Sequence, residues 1–209
     1  VKSKELKINP SKYDINLISE THPILNGDFS HVKNAADCIG LVAEFTHKLC
    51  KKHNLNLVFS GEGELGKNSG VREIHFYKHY LKDYDFKIYQ STDRRKEYPS
   101  YVNIMQSKVT IGFISTILRE AISFDKKILS CNFTDHPDVG FPGPAIEFSE
   151  KNICILNEPS YELFEERVLK ILSMNNDEYF KQIDKDKSFI MKPTIETSKM
   201  MENQIRSYL

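Results

Sequence analysis

The chain has 209 residues, and its 29 Lys and Arg residues balance 29 Asp and Glu residues, so the formal net charge is zero. This length accommodates one large domain or two small ones. With 40% hydrophobic and 11% aromatic residues the chain can bury a substantial core, which excludes wholesale disorder. The balanced charge gives no overall attraction to nucleic acid or to an anionic membrane, and no apolar run approaches the roughly eighteen residues of a membrane span.

The cysteines and the N-terminus both favour a reducing compartment. No C-x-x-C pair occurs, and all the cysteines lie in apolar runs, so we predict buried structural thiols and a cytoplasmic protein. These residues are Cys38, Cys50, Cys131 and Cys154. The first fourteen residues contain no apolar stretch of the signal-peptide kind. The chain does not begin with Met, which is compatible with trimming, with removal of a tag and with excision from a longer protein.

Short runs rich in β-branched and aromatic residues alternate with helical patterns, which predicts an α/β fold with a mostly parallel sheet. The predicted elements are strand 14–19, helix 32–52, strand 55–60, helix 70–81, strand 86–89, helix 99–105, strand 108–113, helix 115–124, strand 127–131, strand 152–156 and helix 158–174. The stretch between the first strand and the first helix is turn-rich. Residues 13–175 are thus predicted to form one Rossmann-like domain. An N-terminal extension or linker (1–12) precedes it, and a charged helical tail (176–209) follows.

Ligands of open α/β sheets bind beyond the carboxyl ends of the strands, so the loops there are the candidate sites. The strongest is the turn after the fourth strand, where Gly112 lets the backbone be approached closely. Ser115 or Thr116 can cap the next helix, whose first-turn N–H groups form an anion site. Glu120 shares a face with Thr116 and can accept hydrogen bonds from the vicinal hydroxyls of a ribose. The spacing alone leaves open an ordinary capped helix with a solvated glutamate.

The block YVNIMQSKVTIGFISTILREA (101–121) resembles the donor-binding half of GT-B glycosyltransferases of the bacterial surface-carbohydrate type. In that family a helix precedes a "dvvig" strand, and an S-T-x-x-x-E-A helix and a "gkpvi" strand follow, which 126–130 matches here. The resemblance implies that Ser115 and Thr116 bind the donor's phosphate and Glu120 its ribose, with no metal or other cofactor required. Phe124-Asp125 replaces the usual small residue and glycine, and no E-x-x-x-x-x-x-E motif is present, which leaves the donor and the stereochemical outcome open.

Three other strand-end loops hold candidates. Gly61 lies in a glycine-rich turn whose backbone a diphosphate could approach, although two neighbouring glutamates would repel it, and a plain turn is the alternative. Ser91 lies in the loop that often recognises the base in the resembling fold. Asn132, beside a strand end, is a candidate for substrate contact, and His136 for a general acid or base. No metal site is predicted.

Taken together, the sequence predicts a donor domain of a nucleotide-sugar-dependent glycosyltransferase that makes surface polysaccharide or glycoconjugate. Its expected partners are the nucleotide-sugar donor, a carbohydrate or lipid-linked acceptor and a preceding acceptor domain. The chain alone is expected to bind nucleotide and to transfer sugar weakly or not at all. A peripheral place at the inner membrane face stays open. Two other classes remain: half of a sugar-nucleotide epimerase, and a non-catalytic binding or scaffold module that binds no nucleotide.

Overall fold

The computed structural model describes residues 12–27, 32–93, 99–136 and 152–190, without the side chains of residues 22, 23 and 184–190. These ranges contain six strands: β1 Tyr13–Ile18, β2 Leu57–Glu64, β3 Ile88–Ser91, β4 Ser107–Gly112, β5 Lys127–Cys131 and β6 Ile155–Leu156. They also contain seven helices: α1 Thr21–Asn26, α2 Ala35–His53, α3 Asn68–Tyr80, α4 Pro99–Met105, α5 Thr116–Ser123, α6 Tyr161–Ser173 and α7 Asn176–Ile190. Within these ranges no helix combines the length and the apolar character that crossing a bilayer requires.

All six strands run parallel, in the order β3-β2-β1-β4-β5-β6. This is the order of a doubly wound sheet, in which the chain builds outward from β1 to β3, returns to the centre and builds outward again from β4 to β6. Helices connect the successive strands from β1 to β5. The Rossmann-like α/β fold predicted from the alternation of strands and helices is confirmed.

The element bounds differ from the prediction in three places. Strand β2 continues past residue 60 to Glu64, because Glu64 pairs with Ser91 of β3 across an irregular register. The predicted strand 152–156 shrinks to Ile155–Leu156, because the side chain of Asn152 accepts the Cys154 N–H at 3.1 Å and holds a turn. Helix α1 lies in the stretch predicted as turns, and its proline stands in the first turn, where no intrahelical N–H bond is lost.

The central strands are buried along nearly their whole length, as expected of a parallel sheet covered on both faces. Helices α2 and α6 meet through aromatic side chains: the ring centroid of Phe45 lies 5.6 Å from that of Tyr161 and 5.7 Å from that of Phe164. All four cysteines are free and buried in this core, as predicted. The core is therefore continuous from the sheet to its helical cover.

Helix α7, the first part of the predicted tail, packs against the sheet. The hydroxyl of Tyr179 donates to the Ile128 carbonyl at 2.8 Å and accepts the Ile128 N–H at 3.1 Å. Tyr179 and Ile183 are both fully buried. A helix side chain thus bonds both backbone groups of one residue of β5, which fixes α7 to the edge of the core.

A glycine pair holds α3 against the end of β2, and substituting it should destabilise the fold. A Cβ on Gly63 would lie 2.5 Å from the Cα of Gly70 and 2.7 Å from its nitrogen. Because these are backbone atoms, we expect Gly63→Ala to lower the free energy of unfolding by about 1–3 kcal/mol. Urea denaturation followed by circular dichroism measures the loss, with Val71→Ala, an exposed position on α3, as the control. Equal stability of the two variants would contradict a tight contact.

Candidate functional site

A cavity of about 770 Å³ opens at the carboxyl edge of the sheet. Its walls come from the ends of β1 and β2 and from the first residues of α4 and α5. Strands β1 and β4 are neighbours at this point, and the chain leaves them toward opposite halves of the sheet. A doubly wound sheet has its crevice at such a switch point, and ligands of this fold bind there.

The structure brings together four of the residues predicted from separate loops. Gly61 lines the cavity from β2, and Ser115, Thr116 and Glu120 line it from the opposite side. Ser115 stands at the N-cap of α5, Thr116 is the first residue of the helix, and Glu120 lies one turn further on. The predicted ribose and phosphate contacts therefore face one shared space.

A buried carboxylate, Glu20, holds the turn between β4 and α5. It follows β1 and is 5% exposed. Its two oxygens accept the N–H groups of Phe113, Ile114 and Ser115, with the Ile114 N–H at 2.7 Å. The side chain of Ser115 makes no cap hydrogen bond. The backbone N–H groups immediately before α5 are thus taken by a carboxylate of the protein itself, whereas the predicted anion site concerned the N–H groups of the first helical turn.

The environment of Glu20 favours its protonated form. Burial raises the pKa of this carboxyl from 4.5 to about 7, against the opposing effect of its three N–H donors. The charge of Glu62, which lines the cavity, adds to the rise. Glu20 therefore changes its charge near neutral pH, next to the space where a ligand would bind.

Gly112 makes room for this carboxylate. A Cβ at Gly112 would lie 3.2 Å from Oε2 of Glu20 and 3.4 Å from Cδ1 of Leu118. Gly112 is not among the residues that line the cavity in the described part of the chain. The group that closely approaches Gly112 is therefore the side chain of Glu20, which follows β1.

A second buried carboxylate, Glu73 of α3, holds the end of β2. It is 1% exposed and accepts the N–H groups of Glu62 at 2.7 Å and Gly63 at 3.2 Å. The hydroxyl of Ser19 and the amide of Gln90, the latter at 2.6 Å, also donate to it. The residues on both sides of the cleft are thus fixed by carboxylates that lie beneath its surface.

The absence of a side chain at Gly61 has a reason in packing. A Cβ there would lie 2.7 Å from a methyl group of Ile88 and 3.0 Å from Oε2 of Glu73. The same residue is buried and also belongs to the lining of the cavity. Packing alone accounts for this glycine, and a ligand contact is compatible with it.

A chain of polar side chains crosses the sheet beneath the cavity. The hydroxyl of Ser60 donates to the Asn16 carbonyl oxygen at 2.6 Å and accepts from the Asn103 amide at 2.9 Å. The Asn16 amide lies 3.5 Å from the hydroxyl of Thr110. All four side chains are buried, so their partners fix each rotamer, and Ser60 presents a fixed group to the cleft.

Tyr101 of α4 orients the carboxylate of Glu120. Its hydroxyl donates to Oε2 of Glu120, and both residues line the cavity. The ring of Tyr101 also lies edge-on to that of Phe124, with centroids 6.4 Å apart. A carboxylate has about four lone-pair positions, so Glu120 can accept a ligand hydroxyl while it keeps the Tyr101 bond.

The remaining predicted residues do not line the cavity in the described part of the chain. Ser91 is 1% exposed, and its hydroxyl has no hydrogen-bond partner among the described residues. The amide of Asn132 donates to the backbone carbonyl of His136 at 3.0 Å, so these two residues close their own loop. That loop contacts α2, where Phe133 N–H lies 3.2 Å from the sulfur of Cys38. Within the described ranges no group of three or more His, Cys, Asp or Glu residues is placed to hold a metal ion.

The lining of the cleft is acidic. It contains Glu62, Glu64 and Glu120, and within the described ranges it contains no Lys or Arg. Arg94 and Arg95, which follow Ser91 in the chain, lie outside the described residues. A phosphate bound to the described surface would therefore be held by N–H and hydroxyl donors.

Two solved structures align with most of this chain. The crystal structure of TarM aligns over 96% of this chain and 37% of its own length, with 17% identity and a TM-score of 0.47. The crystal structure of the C-terminal domain of LpcC, a glycosyl transferase group 1 family protein from Francisella tularensis, aligns over 86% of this chain and 88% of its own, with 13% identity and a TM-score of 0.45. The sequence matches no protein-family model and no curated protein.

The chain spans 37% of the length of TarM. A shared fold at such low identity assigns neither an activity nor a site residue.

Sequence reasoning missed Glu20, Glu73 and Tyr101. A signal existed for Glu20, because it directly follows a buried strand at the edge where ligands bind. Glu73 sits in a helix whose pattern gives no sign that a carboxylate points inward. Tyr101 stood inside the quoted motif, but its contact with Glu120 depends on how α4 and α5 pack.

The raised pKa of Glu20 predicts a pH dependence of stability that a glutamine would lack. Because folding raises this pKa, the folded state binds the proton more tightly than the unfolded chain does. The contribution of this group is fully present below about pH 4.5 and is lost as the pH rises toward about 7. We expect the parent to lose about 2–3 kcal/mol relative to Glu20→Gln between about pH 5 and pH 8.

Chemical denaturation at both pH values measures this difference. Glu166→Gln serves as the control, since Glu166 is an exposed carboxylate of α6 that does not line the cavity. Parallel stability curves for the parent and Glu20→Gln would contradict the raised pKa.

Proposed function

We propose that this chain is the donor-binding domain of a glycosyltransferase that uses a nucleotide-sugar. The observation that carries the proposal is the cleft at the switch point of the sheet, where Glu120 and the first residues of α5 face one space of about 770 Å³. The resemblance of residues 101–121 to the GT-B donor half supports the same assignment. On that resemblance we extend the proposal to an enzyme of surface polysaccharide or glycoconjugate synthesis, and on the free buried cysteines to a cytoplasmic one.

The donor's phosphate would lie at the first turn of α5. The N–H groups of Thr116 and Ile117 have no carbonyl one turn back in the helix, and both residues line the cavity. The hydroxyls of Ser115 and Thr116 are further donors on the same wall. The positive end of the helix dipole favours an anion there, which also stabilises the charge that develops on a leaving phosphate.

The ribose of the nucleotide would lie against Glu120. An ionised carboxylate accepts hydrogen bonds only, so it suits the two vicinal hydroxyls of a ribose. The Tyr101 hydroxyl fixes the carboxylate in place, which lowers the entropy cost of binding. No metal is needed in this arrangement.

The reaction would transfer a glycosyl group from the donor to an acceptor hydroxyl. The bond between the anomeric carbon and the leaving phosphate breaks, a bond to the acceptor oxygen forms, and the acceptor proton passes to a base. We place the acceptor site, for a carbohydrate or lipid-linked acceptor, on a second domain that would precede this one. The isolated chain should then bind nucleotide and transfer sugar weakly or not at all.

A panel of nucleotides tests the binding step. Thermal shift with UDP, GDP, CDP, CMP and ADP should show stabilisation by at least one of them, since a ligand of the folded state raises stability by mass action. Glu120→Ala should weaken that ligand by about 10- to 100-fold, the value of a hydrogen bond to a charged group. It should also abolish the preference for the ribonucleotide over its 2′-deoxy counterpart.

Glu166→Ala is the matched control, because Glu166 is an exposed helix carboxylate that does not line the cavity. A flat panel would overturn the transferase proposal and favour the scaffold class. Epimerised or hydrolysed sugar-nucleotide, with no transfer when an acceptor domain is supplied, would favour the epimerase class.

A further inference from the structure

A second, smaller cavity of about 90 Å³ lies beside the cleft, between α1 and α3. We call it the side pocket. The described residues that line it include Thr21 and Leu25 of α1, Ser69 and Arg72 of α3, and Glu62 of β2. Glu62 also lines the cleft, so the two cavities are neighbours across this residue. The proposed binding mode of the nucleotide leaves the side pocket unused.

The two helices supply hydrogen-bond donors to the side pocket. The Arg72 guanidinium donates to the Leu25 carbonyl, which anchors it to α1, and its other N–H groups remain for a ligand. The Ser69 hydroxyl accepts the Glu64 N–H at 3.4 Å and keeps its own proton for an acceptor. Thr21 is 2% exposed, and its hydroxyl makes no hydrogen bond to another described residue. Because a buried hydroxyl without a partner is costly, a ligand atom that accepts its proton would be favoured.

The charges on the two sides of the side pocket favour a neutral ligand group. A ligand ammonium group would be opposed by Arg72, and a carboxylate or phosphate by Glu62. A neutral group that has both an acceptor and a donor can instead bond to both sides, with charge-assisted hydrogen bonds. Leu25 adds an apolar surface, which suits a methyl end on the same group.

The volume of the side pocket fits a small acyl group. A water molecule occupies about 30 Å³ in the liquid, so the pocket takes about three groups of that size. An acetamido group extends beyond its nitrogen by a carbonyl carbon, an oxygen and a methyl. It therefore matches the pocket in size and carries one acceptor, one donor and one apolar end. A single hydroxyl group would leave most of the pocket empty.

We propose that the side pocket binds the N-acyl group of an amino sugar whose ring lies in the cleft. The acyl oxygen accepts from Arg72, Thr21 and Ser69. The amide N–H donates to Glu62 at the boundary of the two cavities, and the methyl packs on Leu25. This inference rests on the proposed function, because the amino sugar is the part of the donor that is transferred. The substrate class is then a nucleotide-activated N-acylated amino sugar.

Sugar 1-phosphates test this proposal without a choice of base. Saturation-transfer NMR on the whole chain measures the affinities of the 1-phosphates of N-acetylglucosamine and N-acetylgalactosamine, and of glucose and galactose. At least one N-acetylated compound should bind about tenfold or more tightly than its parent sugar phosphate, the value of one hydrogen bond to a charged group. Its methyl protons should receive the strongest saturation, because the protein surrounds them.

Two variants alter the side pocket from opposite helices. Arg72→Met removes the guanidinium donors and keeps an unbranched side chain, and Leu25→Trp fills the cavity. Each should reduce the affinity for the N-acetylated compound to that of its parent sugar phosphate. Lys78→Met is the matched control: it removes an exposed cation from the same helix as Arg72 and lines neither cavity, so the preference should remain.

The affinities of the parent protein decide the matter where a variant folds poorly. Equal affinity for acylated and non-acylated sugar phosphates, or no binding of either, would overturn the proposal, as would a preference that survives both variants. If a nucleotide binds and the sugar phosphates are not discriminated, the donor role stands and the side pocket assignment fails. If the N-acyl preference is found and the nucleotide panel is flat, the donor role fails and the side pocket stands.

Discussion

The whole site depends on how one turn of backbone satisfies its hydrogen bonds away from water. The residues between β4 and α5 present N–H groups toward the interior, and a buried N–H without an acceptor costs as much as a lost hydrogen bond. Glu20 supplies the acceptor for three of them. Because Glu20 follows β1, this bond set ties together the two strands at which the sheet reverses its order, and the wall of the cleft follows from it.

The same solution occurs on the other side of the cleft. Glu73 accepts two N–H groups at the end of β2, so each wall is held by a carboxylate from a different segment. Burying a carboxylate is costly unless it is fully hydrogen-bonded, and both of these have several donors. The benefit is rigidity: loops held in this way need little further ordering when a ligand binds. The energetic cost of burying a charged carboxylate is seen in the raised pKa of Glu20.

The sequence predicted the fold because the alternation of strands and helices is a local pattern. It also indicated the loops at the carboxyl edge of the sheet as candidate sites, and two of them, with Gly61 and with Ser115, Thr116 and Glu120, line one cavity there. It could not predict that Glu20 would take the donors before α5, because that contact joins residues 93 to 95 positions apart.

Local patterns also failed where a side chain competes with the backbone. Most of the predicted last strand is a turn, which the Asn152 side chain stabilises. Strand β2 is longer than predicted and includes two glycines, because Glu64 pairs with Ser91 of β3. Whether Ser91, Asn132 and His136 contact a ligand stays a prediction, since none of them lines the described cavity. Ser91 lies buried instead, and Asn132 bonds the backbone of its own loop.

The two edges of the sheet are also its two shortest strands. β3 has four residues and pairs irregularly with β2, and β6 has two. An edge strand has unpaired N–H and C=O groups with which another extended chain can pair. A short or irregular edge strand has fewer such groups in pairing geometry. The sheet is therefore poorly suited to grow by adding a strand from a second molecule, so an assembly of this domain with others would form through its helices and loops.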